Sequence, residues 1–256
     1  MDILFINNIR GGAFIMMFIY HIFVFLYALT NYNYLNNTFL DFIGSISRNI
    51  FILLVGVSLY LSYKNSDNMT EYRKKQLLRS IKIYCIAIYV TIITYFTIRE
   101  KYVVFGVLHF IAVSILLLHN FVNNSFVLII ILLICLLLSN YKYIFKISGY
   151  SNFINYLNSV IGFSIYKNTI DSFPLIKWIP VVIIGIFIGR FIYYYHKKIY
   201  NINKKNKTTK KNSSNRNTSQ KKQNILSFIG KNTLLLYVIH IPIIIIAIKI
   251  YMNYIK

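Results

Sequence analysis

The chain has 256 residues, 57% hydrophobic and only 13% charged, with a mean hydropathy of +0.58, which excludes an ordinary soluble domain of this size. Its net charge of +22 comes from 28 Lys and Arg against 6 Asp and Glu. In a soluble protein that balance would point to nucleic acid; on this apolar background it points to cytoplasmic loops and membrane lipid, with no nucleic-acid partner.

Seven apolar segments approach the length that crosses a bilayer as helix: 11–30, 45–63, 81–98, 102–119, 121–140, 178–195 and 233–251. The pattern predicts an all-α, polytopic membrane protein of about seven transmembrane helices, with residues 1–256 forming one domain. The first segment opens with Arg10, and no small-residue cleavage site follows it, so it reads as a retained span and not a signal peptide. Arg10 is followed by Gly11 and Gly12. Arginine binds phosphate through paired donors, and glycines let a ligand or a second backbone approach closely. These three residues are therefore candidates for holding a phosphate-bearing cofactor, the alternative for Arg10 being positive-inside anchoring. His21 lies midway along the same span. A histidine at membrane depth is costly unless it faces a polar interior, which marks it as a functional candidate.

The second span carries Arg48 at its outer end, where the positive-inside rule does not want a cation. Pairing with Asp171 or Asp41, or contact with a substrate, are the readings open to it. The following loop, 64–80, carries Lys64, Arg73, Lys74, Lys75 and Arg79; Arg79 and Lys82 read most simply as cytoplasmic anchors. His109 in the fourth span follows Gly106 and reads as a packing residue. His119 and His196 fall at span ends, where a histidine is cheap. Cys85 and Cys135 sit in separate apolar runs as packing residues, and no Cys/His spacing suits a metal.

Residues 141–177 are mixed in character, and 153–166 are apolar enough to lie on the membrane or re-enter it. Asp171, with Phe173, Pro174 and Trp178, forms the rim of the sixth span. A carboxylate among aromatics suits sugar binding, whereas Trp178 alone would be an interfacial anchor. Residues 196–224, rich in Lys, Asn, Ser and Thr, read as a disordered basic linker. The basic loops at 64–80 and 196–232 both belong in the cytoplasm if the N-terminus is inside and the C-terminus outside. The last span carries His240 two residues before Pro242, where a kink or local opening is expected; an imidazole turned toward a cavity and a structural histidine are both open readings.

The marked stretches come in a recognisable order. They are Asn7-Asn8-Ile9-Arg10-Gly11 with His21; Ser47-Arg48 with the run Phe51 to Leu59; Phe105-Gly106-Val107-Leu108-His109; Asp171-Ser172-Phe173-Pro174 with Trp178; and Phe228-Ile229-Gly230-Lys231-Asn232 with Tyr237-Val238-Ile239-His240-Ile241-Pro242. The series resembles the heparan-alpha-glucosaminide N-acetyltransferase catalytic-domain family in its short prokaryotic form. The resemblance implies acyl transfer across a membrane: acetyl-coenzyme A (acetyl-CoA) taken from the cytoplasmic side, a sugar amine or hydroxyl met from the far side, His21 as catalytic candidate, and a homodimer. His240 joins His21 as a second catalytic candidate, and Arg48, Asp171 and Trp178 as candidates for the carbohydrate acceptor.

Two other functions stay open at this point. A small-molecule transporter or exporter usually carries a carboxylate within a span, whereas all six acids (Asp2, Asp41, Asp67, Glu71, Glu100 and Asp171) fall in loops or at span ends. An inactive relative is the third reading, because Asn7 and Phe25 stand where the family carries acids.

Overall fold

The computed structural model describes residues 3–30, 38–98, 102–140, 152–163, 169–208 and 224–255. Among these the chain is helical: α1 Ile3–Thr30, α2 Thr38–Lys64, α3 Met69–Ile98, α4 Val107–Leu118, α5 Ser125–Asn140, α6 Asn152–Ile161, α7 Leu175–Thr208, α8 Ile225–Lys231 and α9 Thr233–Ile255. Five helices are long and apolar enough to cross a membrane: Leu4–Thr30, Thr38–Lys64, Met69–Ile98, Leu175–Lys198 and Thr233–Tyr254. Large apolar side chains stand exposed on their outer faces, among them Phe96, Phe191 and Ile246, as expected of a surface solvated by lipid.

The remaining two predicted spans are present as shorter apolar helices. At 1.5 Å per residue, α4 extends ~18 Å and α5 ~24 Å, short of the ~30 Å hydrocarbon core. The fourth begins at Val107 and not near 102. Before it, Phe105 is extended and bridges in parallel to Ser172, and Asp171 Oδ2 accepts the Val107 N–H at 3.2 Å. A carboxylate on the orphan donors of a helix start fixes where the helix begins. A 3-10 turn at His119–Phe121 leads from α4 towards α5.

The predicted linker at 196–224 needs correcting at its start. Helix α7 runs on to Thr208, since extending a nucleated helix costs little. Residues 209–223 lie outside the described part of the chain.

The tightest packing joins α2 to α7, where no side chain intervenes. A Cβ on Gly56 would fall on the Val182 carbonyl, and one on Gly185 on the Leu53 carbonyl. Small residues facing one another let two backbones close together where lipid gives no hydrophobic drive for helix association. Arg190 ties α7 to the start of α5 as well, donating to Ser125 Oγ and to the Val122 carbonyl. The same device locks α8 onto the start of α1: a Cβ on Gly11 would overlap the Leu226 carbonyl, and one on Gly230 the Asn7 carbonyl. Helix α9 stays helical through Pro242 and packs on α1 and α3. Residues from α1, α2, α3, α4, α7 and α9 share one core, centred on Ile52, Leu59, Phe110, Ile115, Val182 and Ile183.

Candidate functional site

Helix geometry sets the first wall of the site. Eleven residues separate Arg10 from His21, and at 100° per residue they return to within about 20° of the same direction. Met17 falls on that stripe as well. One face of α1 therefore carries a cation near its start and an imidazole ~16 Å further along.

Opposite this stripe lies a cavity of about 780 Å3, lined by Arg10, Met17 and Ser58, by Lys75, Arg79 and Lys82 of α3, by Val107 and Leu108, and by Lys231 and Tyr237. Five cations and no carboxylate border it. Arg10 is held in place by Ser58 Oγ, to which it donates at 3.0 Å, and more loosely by Asn7 Oδ1 at 3.5 Å. Its other donors stay available to a ligand.

Beyond Val107, Leu108 and Tyr237 lies a second, much smaller cavity of about 20 Å3, which those three residues also line. His21, Gly106 and Asp171 also line it, the rest of its wall being apolar. A space of this size holds about one water-sized group.

The two candidate histidines meet here. His21 Nδ1 lies 2.9 Å from His240 Nε2, with the rings stacked at 5.1 Å between centroids. His240 Nδ1 lies 2.7 Å from the Tyr237 carbonyl. A carbonyl only accepts, so His240 Nδ1 carries the hydrogen and donates it. In a neutral ring His240 Nε2 is then an acceptor, and the hydrogen between the rings belongs to His21 Nδ1. One tautomer remains for His21, with the lone pair on Nε2. Phe14, Phe18 and Tyr237 press on His240, and Phe25 and Tyr237 on His21, so both rings are held in orientation.

Asp171 closes the far side. Withdrawal from water raises its carboxyl from 3.8 to about 6, against the lowering effects of the Val107 hydrogen bond, the Arg48 charge and the Ser172 backbone. Arg48 is not hydrogen-bonded to Asp171. Its guanidinium lies over the Trp178 ring at 5.2 Å and the Phe173 ring at 6.0 Å. Arg48 Nε and Trp178 Nε1 are buried donors without a partner, next to the carboxylate whose charge Arg48 influences.

The structure thus gathers His21 and His240 into one pair, puts Arg10 on the larger cavity and Asp171 on the smaller, and stacks Arg48 with Trp178. Gly11 and Gly12 do neither. Space beside Gly11 is filled by the α8 backbone, whereas Gly12 faces open space, and neither lines the cavity. Arg79 and Lys82, expected as anchors, also border the cavity, together with Lys75. Their spacing, four and then three residues, puts all three on one face of α3, a signal present in the sequence. His109 packs between Tyr84 and Phe105. His119 Nδ1 is turned back onto the Ile115 and Leu116 carbonyls of its own helix, at 3.1 and 2.9 Å. Tyr237 was not singled out; an aromatic at i−3 from His240 looks like any core residue.

No curated protein and no solved structure matches the chain. A family profile described as heparan-alpha-glucosaminide N-acetyltransferase, catalytic, matches residues 3–242. That segment spans both cavities and the histidine pair, and the chain belongs to this family of membrane acetyltransferases.

Proposed function

We propose that the protein transfers an acetyl group from acetyl-CoA to an amine or hydroxyl of a sugar or glycan across the membrane. The observation that carries this is that His21 lines a small cavity, with Asp171, whose Val107, Leu108 and Tyr237 wall is shared with a large cavity bordered by five cations.

The larger cavity suits a coenzyme A thioester. Arg10, Lys75, Arg79, Lys82 and Lys231 would hold its phosphates, and Arg10 offers the paired donors phosphate prefers. Met17, Leu108 and Tyr237 carry the cavity's lining from that basic end up to the wall it shares with the His21 cavity, so an elongated donor with charge at one end and reactivity at the other suits the distance along α1. When bound, the thioester supplies an activated acetyl group. The positive-inside rule assigns the basic end to the cytoplasm, with the N-terminus inside and the C-terminus outside.

His21 Nε2 takes the proton from the acceptor nitrogen or oxygen as it attacks the thioester carbonyl. The new C–N or C–O bond forms, the C–S bond breaks, and the His21 imidazolium returns the proton to the departing thiolate. His240 stabilises that imidazolium by accepting the Nδ1 hydrogen. Asp171, Arg48 Nε and Trp178 Nε1 offer an acceptor and two donors to the hydroxyls of an incoming sugar. A lipid-solvated surface fits an integral multi-pass protein, and a homodimer is the assembly the family implies.

A transporter would leave the thioester intact. Purified protein incubated with labelled acetyl-CoA and glucosamine separates the readings. Release of free thiol with label in the sugar supports transfer; intact acetyl-CoA after prolonged incubation contradicts it.

A further inference from the structure

We propose that Leu108, with Val107 and Tyr237, forms a gauge that restricts the transferred acyl group to acetyl. The inference rests on the transferase reading above and adds a specificity-determining element to it.

These three side chains line both cavities. They are the wall the two cavities share, where the reactive end of a donor in the larger one comes up against the space beside His21. On the donor side there is about 780 Å3; on the His21 side about 20 Å3. The first accommodates a long, flexible ligand, the second about one methyl-sized group.

The wall is also rigid. Tyr237 stands edge-on to His21 at 6.2 Å and to His240 at 4.9 Å, and its carbonyl holds His240 Nδ1. Its ring cannot swing aside without losing its contacts with both imidazoles. Val107 and Leu108 are the first residues of α4, and the start of that helix is pinned by Asp171 through the Val107 N–H. A Cβ on neighbouring Gly106 would come within 2.8 Å of Asp171 Oδ2, so this corner has no slack. Leu108 and Val107 are nearly buried, at 7% and 8% exposure. A longer acyl chain must therefore displace more of this packed wall than acetyl does.

The chemistry is unchanged by the gauge; only the methyl end of the acyl group meets it. One extra methylene in a filled apolar pocket changes kcat/KM by roughly 10- to 200-fold. Leu108→Ala opens the wall by three carbons without touching the histidines or the Val107 backbone bond.

The test measures kcat/KM of the full-length protein for acetyl-, propionyl- and butyryl-CoA with glucosamine as acceptor, following thiol release. Wild type is expected to prefer acetyl over butyryl by at least tenfold. Leu108→Ala, and independently Val107→Ala, should raise the butyryl-to-acetyl ratio tenfold or more. Leu78→Ala, in the wall of the larger cavity, should leave the ratio within twofold. Wild-type use of butyryl equal to acetyl overturns the gauge while leaving the transferase reading intact. An unchanged ratio in both Leu108→Ala and Val107→Ala also overturns it. If wild type releases thiol from none of the three thioesters, the transferase reading itself fails and the gauge with it.

Discussion

Replacing Arg10 by Ala should weaken coenzyme A binding by roughly 10- to 150-fold. That range converts the ~1.5–3 kcal/mol typical of a hydrogen bond to a charged group. The structure sets where in the range to look. Arg10 is half-buried on the cavity wall, and its two internal bonds are one good contact with Ser58 at 3.0 Å and one long contact with Asn7 at 3.5 Å. Little of its donor capacity is spent on the protein, so most is available to phosphate. Four other cations share the cavity, so loss of one leaves a residual field and the effect should stay below the upper end. Arg10→Lys keeps the charge and loses the fork, and should fall between wild type and Ala. Lys64→Ala is the control, because its ammonium is caged over Tyr60, Tyr63 and Tyr193 at 5.2–5.9 Å and does not line the cavity. Titration calorimetry of detergent-purified protein with coenzyme A, at two salt concentrations, measures each Kd. Affinity of Arg10→Ala within twofold of wild type, with the fold retained, would refute this reading and leave Arg10 an orientation signal.

Other outcomes follow from single contacts. Asp171 binds its proton more tightly when folded (about 6) than its ordinary value of 3.8. Its contribution to stability is therefore full below about 4 and lost as pH rises through 6; Asp171→Asn should flatten the thermal midpoint across that window, and an unchanged slope would contradict it. Gly11→Ala and Gly230→Ala drive a methyl into facing backbone and should each cost about 1–3 kcal/mol. Gly12→Ala meets nothing within 4 Å and should gain up to ~1 kcal/mol of helix propensity, a contrast that denaturation in detergent resolves. Cysteine labelling in a Cys85→Ser, Cys135→Ser background should reach Lys177→Cys and Lys198→Cys, both exposed, from opposite sides of the membrane; the same side for both would contradict the orientation.

Much of the fold could be read from hydropathy, because a bilayer demands long apolar helices and leaves few alternatives. Periodicity located all seven apolar segments. It could not locate the start of α4, which is set by a carboxylate distant in sequence, nor show that α7 continues to Thr208 past its apolar part. His21 and His240 were legible singly as costly residues at membrane depth. Their pairing was not, since 219 positions separate them and nothing local to either names the other. That Arg79 and Lys82 border the cavity was not legible, because a cation near a cytoplasmic loop already has a sufficient explanation. Gly11 was read as an approach for a ligand, and the approach is made by α8: a glycine signals closeness without naming what comes close.

The most direct measurement compares acetyl transfer by His21→Ala and His119→Ala. His21 lines the small cavity with its Nδ1 held by His240, whereas His119 is bonded to its own helix. The first variant should lose roughly 10²- to 10⁴-fold in rate, as on loss of a general base, and the second should stay within a few-fold of wild type. Near-wild-type turnover by His21→Ala, in protein that still binds coenzyme A, would contradict the account.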